Sequence, residues 1–471
     1  MLLALPHSTR GQGPINYEVN YAAPGNNRVH VSLDLPQAIP APVSLVMPRS
    51  YPGGYGQVSY DSFVEQVRAF SPDGKALEVE RETEGPRWTI GEREARVARV
   101  EYDVDLARME SQLDSAVETS KVRRGYVGLL GYSVFAYIDG LEERNIKLRV
   151  NAPKDWPALT TLAPQVPASA ANATGEAANY YALADSEVLM GPDLQLRRIE
   201  GKIPLILAVY AESNEDVGLE GQIARQALDR VQAYFGDTPF RQYTVQLELL
   251  RPIAGHEYDF SQEHIDSGTF SLSADRALTT QSSRQAREAA LFNYAHHMAH
   301  CWIPKRAYGE GYLPFTWEMT PVIDTIWFNE GFARYAAIEA LAAGLPQADG
   351  SAFRQRQLAG LRRIVDDAPL FMRRMSLEVL SREASFLYAT DFRTGANIFA
   401  RGALMAAEMD QRIRAETGEK KSLRDALQAL VAWSEKNHRA FRLEEMTEVF
   451  RTATGVDTRE ILNRWRKPLS N

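Results

Sequence analysis

His296 and His300 stand four residues apart, and an α-helix, which advances about 3.6 residues per turn, projects residues at that spacing from one face. Two imidazole nitrogens presented in this way can share one metal ion. Thirty residues after His300 comes Glu330, in the run Trp327-Phe328-Asn329-Glu330-Gly331-Phe332. A carboxylate added to two histidines gives a three-ligand set of the kind that leaves a fourth position open on Zn²⁺. In the H-E-x-x-H arrangement the residue after the first histidine is a glutamate, which takes a proton from metal-held water and passes it to the leaving group. Here that residue is His297. A histidine pair at helical spacing can also be no more than a polar patch on a surface helix, and Glu330 with its flanking residues weighs against that reading.

These side chains need two helices to hold them. From Ser282 onward the periodicity is helical almost to the end of the chain. Ser282 or Ser283 serves as N-cap of a helix that passes Ala286, Ala289, Ala290, Leu291 and Tyr294 before it reaches the histidines. A second helix carries Glu330 through Tyr335 to Leu341 and ends at Gly344 and Pro346. Ser422 with Asp425 opens a further helix, and Gly455 closes the one over 443–454. Upstream, apolar runs at 205–210 and 243–249 read as strands around a helix at 221–235, a mixed α/β pattern. Between 15 and 150 short alternating runs, among them 29–33, 43–46, 98–104 and 146–150, are separated by turn signals such as Pro24-Gly25-Asn26-Asn27 and Ser71-Pro72-Asp73-Gly74. That is the pattern of an antiparallel β domain, a sandwich or a saddle-like sheet. An interdomain connection falls in or just before the Ala-, Pro- and Gly-rich segment 151–192, which contains the run 164–171.

At 471 residues the chain exceeds what one hydrophobic core serves, so two or three domains are expected. A net charge of −8 argues against nucleic-acid or anionic-membrane partners, both of which select basic surfaces. Arg354, Arg356, Arg362, Arg363, Arg373 and Arg374 interleave with apolar residues and read as solvated faces of amphipathic helices interrupted at Pro369. The lone cysteine, Cys301, excludes an intrachain disulfide. Pointing about 100° away from His300 on a helix, it reads as a buried structural thiol rather than a fourth ligand. No stretch approaches the roughly 18 apolar residues of a membrane span. Residues 1–6 resemble the tail of a signal-peptide apolar region without its basic leader, which leaves a periplasmic, secreted or cytoplasmic location open.

The stretch from Tyr294 to Tyr335 resembles the glycyl aminopeptidase family of gluzincin zinc metallopeptidases, whose motif H-E-x-x-H-x-W-x-x-K-R is followed by a distant E-G-F. His300-Cys301-Trp302-Ile303-Pro304-Lys305-Arg306 retains the H-x-W-x-x-K-R part, and the step to Glu330 agrees. More faintly, Glu263-His264-Ile265-Asp266-Ser267 is similar to the family's G-G-L-E-H-x-x-S, with Phe260, Ser261 and Gln262 in place of its glycines and leucine. Gly131-Tyr132-Ser133-Val134-Phe135-Ala136-Tyr137 resembles the end of its β domain, and Arg401-Gly402-Ala403-Leu404 its Y-x-[KR]-G-A-L helix. The PDZ domain that often follows has no counterpart before Asn471. The resemblance implies an α+β multidomain fold: an N-terminal antiparallel β domain over 1–155, a thermolysin-like α/β catalytic domain over 156–345, and a helical C-terminal domain over 346–471. It also implies zinc held by His296, His300 and Glu330, and a peptide or small-molecule ligand in the zinc cleft. Glu263 would pair with the ligand's amino terminus, the alternative being an exposed strand glutamate.

Two departures fall on the chemistry. His297 replaces the glutamate base, and Phe399, three residues before Gly402, replaces a tyrosine whose hydroxyl would stabilise the oxyanion. Losing a general base costs about a hundredfold to ten-thousandfold, and losing one oxyanion donor roughly a hundredfold to a thousandfold. A neutral imidazole beside a cation can accept a proton, but it has a different reach and lacks the second oxygen with which a carboxylate bridges water and amine. Tyr388 is a possible source of the missing hydroxyl. The expectation is therefore a zinc-binding, metallopeptidase-like protein that is not an efficient peptidase. The alternatives are a zinc enzyme of altered chemistry using His297 as acid or base, and an active aminopeptidase.

Overall fold

The computed structural model describes residues 13–113, 118–163, 172–237, 240–253, 256–388 and 390–469. Residues 1–6 and the run 164–171 singled out above lie outside the described residues. The chain divides into two compact units. The described residues up to Arg49, with Ser59–Leu113 and Thr119–Leu194, form the first. Ser50–Val58, Glu118 and everything from Gln195 onward form the second.

The first unit is built from sheets. A seven-stranded sheet runs in the order Asn172–Ala177, Ile146–Asn151, Ile15–Asn20, Arg28–Pro40, Arg96–Asp105, Val64–Phe70, Ala76–Leu77, and within it only the Ile15–Asn20/Ile146–Asn151 pair is parallel. Period-two alternation explains its burial: Ile146, Leu148 and Val150 point inward while Lys147 and Arg149 face solvent. Two four-stranded sheets complete the unit. In one of them Glu187–Met190 pairs with both Tyr126–Leu130 and Ala158–Thr160, which carries the unit to Leu194, well past the expected boundary at 155. That pairing spans some sixty residues of chain and leaves no local signal.

The second unit has a five-stranded sheet in the order Gln195–Ile199, Leu205–Ala211, Tyr243–Leu250, Ser267–Ser273, Asp259–Glu263, with a parallel centre and antiparallel edges. The central strand Tyr243–Leu250 is buried throughout, as a strand covered on both faces must be. The helix Val217–Phe235 starts on an Asp216 cap and ends on left-handed Gly236. The histidine helix, Arg284–Ala299, starts where Ser283 Oγ accepts from the Ala286 amide. The glutamate helix, Ile326–Ala343, is buried over nearly its whole length. The helices Gln347–Asp366, Leu377–Leu387, Phe392–Thr417, Leu423–Asn437, Leu443–Thr454 and Arg459–Arg466 follow. Ser422 and Asp425 form a capping box, and Gly455 closes its helix left-handed. One hydrophobic core joins residues on both sides of position 345, so the expected division there does not separate two cores. Among the described residues no helix is long and apolar enough to cross a membrane.

One helix crossing sets the position of Glu330. A Cβ on Gly331 would lie 2.5 Å from the Gly402 backbone, and one on Gly402 would lie 2.1 Å from the Trp327 carbonyl oxygen. The glutamate helix and the helix Phe392–Thr417 therefore meet backbone to backbone. Beside that crossing Arg401 is fully buried and donates to the carbonyls of Met375, Trp465 and Lys467.

Buried Glu220 and half-buried Glu215 form an acid pair beside Tyr294, whose hydroxyl donates to Glu220 Oε2 at 2.9 Å. Burial and mutual repulsion push Glu215 up to about 8, and burial pushes Glu220 up to about 7. The folded chain thus keeps protons that the unfolded chain sheds above the ordinary carboxylate range, so this pair's contribution to stability declines as pH rises from about 4.5 to about 8. Melting temperatures measured across that window should fall with pH, and Glu220→Gln should flatten the slope and raise stability most at the alkaline end.

Candidate metal and peptide site

His296 projects from the last turn of the histidine helix, His300 caps that helix at its C-terminal end, and Glu330 projects from the glutamate helix, all three buried. His296 Nε2 and His300 Nε2 are 3.4 Å apart, and Glu330 Oε2 lies 3.7 Å from the first and 3.4 Å from the second. Zinc–ligand bonds of about 2.0–2.1 Å in a tetrahedron give ligand–ligand edges of about 3.3–3.4 Å. The triangle has the size that a zinc ion requires. His300 Nδ1 donates to the Ile303 carbonyl at 2.8 Å, which leaves its Nε2 lone pair facing the centre. His296 Nδ1 is buried without a hydrogen-bond partner.

The electrostatics suit a cation. Burial opposes charge on His300, yet Glu263 and Glu330 together lift it to about 9. Burial also works against Glu330, but the two histidines hold it ionised, well below the usual carboxylate range. His296, desolvated beside the other histidines, is held neutral. A divalent metal held by His296, His300 and Glu330 would replace the His300 proton, so metal uptake would be accompanied by proton release.

A further partner comes from far away in sequence. Tyr55 Oη donates to Glu330 Oε1 at 2.8 Å, occupying the oxygen that the histidines leave free and fixing the carboxylate's rotation. Tyr55 belongs to Pro52-Gly53-Gly54-Tyr55-Gly56, which reads in the sequence as nothing more than a turn. Gln262 on the edge strand Asp259–Glu263 holds that segment by donating to the Pro52 carbonyl at 2.9 Å.

Glu263 lies at the end of the same edge strand, 4% exposed, so it is no surface glutamate. Burial raises it, and the charge of His300 counteracts that rise. Its Oε1 is buried without a partner and would sit 2.6 Å from a Cβ at Gly53, where φ is +89°. Only glycine there leaves room for the carboxylate.

His297 takes a different direction. Its Nδ1 is 2.9 Å from the Asn293 carbonyl oxygen, its ring stands edge-on to Phe270 at 5.4 Å, and it also contacts the Ser261 backbone. Burial and the neighbouring His300 push it down to about 4. Phe399 packs 6.1 Å from the His296 ring. Tyr388 stands 5.4 Å from Tyr55 and 6.0 Å from Phe399. Burial, and then the charges of Glu330 and Glu263, keep its phenol protonated.

Trp302 and Arg306 of the H-x-W-x-x-K-R run serve packing. Trp302 stacks on Phe235 at 4.7 Å and donates to Asp237, and Arg306 lies over Phe240. Cys301 is buried, and desolvation raises its thiol, in keeping with a packing role.

The second unit thus carries a buried cluster of His296, His300 and Glu330 that could hold a metal ion. The chain is similar to the aminopeptidase N family protein of Idiomarina loihiensis, with 19% identity and a TM-score of 0.81 over 97% of this chain and 77% of the other. It is also similar to the M1 zinc metallopeptidase of Deinococcus radiodurans, with 15% identity and a TM-score of 0.56 over 98% and 94%. A variant of that protein bound to a Tyr-Ser-Ala substrate aligns with a TM-score of 0.58 at 15% identity, over 98% and 94%. A search of curated proteins found no match. Residues 16–192 match the Peptidase M61 N-terminal domain.

Proposed function

We propose that this chain is a zinc-binding, metallopeptidase-like protein that binds peptides or small amine-bearing ligands in its cleft and hydrolyses peptides inefficiently. The observation that carries the reading is the ligand triangle, complete and correctly sized, beside a base position filled by His297, whose Nδ1 is tied to the Asn293 carbonyl. Zinc bound by His296, His300 and Glu330 would supply Lewis acidity toward a carbonyl oxygen. The chain's own groups do the rest. Glu263 offers a buried carboxylate to an ammonium group. Tyr55 holds Glu330 in orientation. Tyr388, kept protonated, presents an O–H that can donate to a developing oxyanion.

What is short is proton handling. His297 has roughly the basicity of a carboxylate, so its weakness as a base is geometric: its protonated nitrogen faces the backbone and it has no second oxygen. A second reading, an enzyme of altered chemistry with His297 as acid or base, is favoured by Tyr388, since a hydroxyl beside the metal cluster suits turnover better than ligand binding alone. Metal analysis of the purified protein tests the primary reading. One zinc per chain is expected, falling to near zero in His296→Ala, together with slow release of product from aminoacyl anilides. Absence of zinc in the parent protein, or rapid turnover by it, would sink the proposal.

A further inference from the structure

Arg334 stands one helical turn beyond Glu330 on the glutamate helix, where the function proposed above does not use it. Its Cζ lies 5.1 Å from the centroid of the Phe292 ring, and that ring stacks on His296 at 6.4 Å with planes 3° apart. Guanidinium, phenyl and metal-ligand imidazole thus form one continuous wall. The Arg334 Nε is buried without a hydrogen-bond partner. Among the described residues no carboxylate pairs with its guanidinium; Glu330 acts on it only at longer range and is already engaged by Tyr55 and the two histidines. A desolvated cation with open donors is costly unless an anion joins it, and a planar fork of donors fits a carboxylate.

Its place relative to the other groups indicates which carboxylate. Phe292, His296 and His300 lie at successive four-residue steps, each about 6 Å along the helix axis. Asn293 donates to Ser261 at 3.1 Å, and just past the end of the edge strand the His264 carbonyl meets Cys301 Sγ at 3.8 Å, so the edge strand Asp259–Glu263 and the histidine helix run side by side in the same direction. Glu263 therefore sits at the His300 end of the wall and Arg334 at the Phe292 end. Phe292 and His300, which mark those two ends, are about 12 Å apart along the helix axis, with His296 between them. A dipeptide or tripeptide spans roughly 7–10 Å. With its ammonium group at Glu263 it would carry its far end toward Arg334.

We infer that Arg334 is a specificity residue that receives the terminal carboxylate of a short peptide whose amino end is held at Glu263, so that the cleft selects free dipeptides and tripeptides over longer or amidated chains. The inference rests on the peptide-binding reading above. Calorimetric titration of the zinc-loaded protein with alanyl-phenylalanine and with its C-terminal amide tests it. The free acid should bind about tenfold to a hundredfold more tightly than the amide. Arg334→Gln should bring that ratio to near one with the amide's affinity retained, and Arg334→Lys should keep an intermediate preference. Equal binding of acid and amide by the parent protein, or a preference that survives Arg334→Gln, overturns the role of Arg334 and leaves the peptide cleft standing. Failure of the parent protein to bind either ligand overturns both.

Discussion

Replacing His297 by glutamate is expected to raise hydrolysis of aminoacyl amides by about a hundredfold to ten-thousandfold, the usual worth of a placed general base. The surrounding parts are already in position: a zinc-sized ligand triangle, a buried Glu263 with an unpartnered oxygen, and a protonated Tyr388. At position 297 the imidazole spends Nδ1 on the Asn293 carbonyl and lays its ring against Phe270. A carboxylate at the same helical position has no N–H for that carbonyl, so nothing holds it there. The measurement is kcat/KM on aminoacyl anilides, with zinc content determined in parallel. A fully metallated variant with no gain would mean that the cleft around Phe270 and Ser261 has closed over the reacting position.

In that glutamate-restored background, Tyr388→Phe should lower kcat roughly a hundredfold to a thousandfold with little change in KM, as loss of an oxyanion donor does. Phe399→Tyr should change little. The sequence comparison marked Phe399 as the site of a lost hydroxyl, and its ring does pack near His296. Tyr388, however, neighbours both Tyr55 and Phe399 and feels the charges of Glu330 and Glu263, which makes its hydroxyl the one to test. A Tyr388→Phe variant as active as its parent, with Phe399→Tyr giving a gain, would reverse the assignment.

The residues that were legible in sequence are those whose partners are close along the chain or carried by a motif. His296 and His300 declare themselves by helical spacing, Ser283 by its capping position, and the strand Ile146–Asn151 by strict alternation. Glu330 could be read because Glu-Gly-Phe accompanies it. Tyr55 could not: 275 residues separate it from Glu330, and its glycine-rich surroundings look like any turn. Arg334 carries no such signal, since nothing in a sequence tells a solvated arginine from one stacked on Phe292. The reach of the first unit to Leu194 depends on pairing between Glu187–Met190 and Tyr126–Leu130, and strand partners that distant are set by the whole sheet rather than by local pattern.

The crossing of Gly331 and Gly402 makes the spacing between two helices a gauge for the metal site. Glu330 is the immediate neighbour of Gly331, so anything that separated those backbones, even by the thickness of a methyl group, would swing the carboxylate away from His296 and His300 and open a triangle whose edges tolerate a few tenths of an ångström. His297 faces no such gauge. Under the reading proposed above, the residue at 297 can change at little cost to the architecture, whereas the candidate ligand set is tied to the helix register. Substitutions at Gly331 or Gly402 are therefore expected to disturb the candidate ligand triangle more than substitutions at His297.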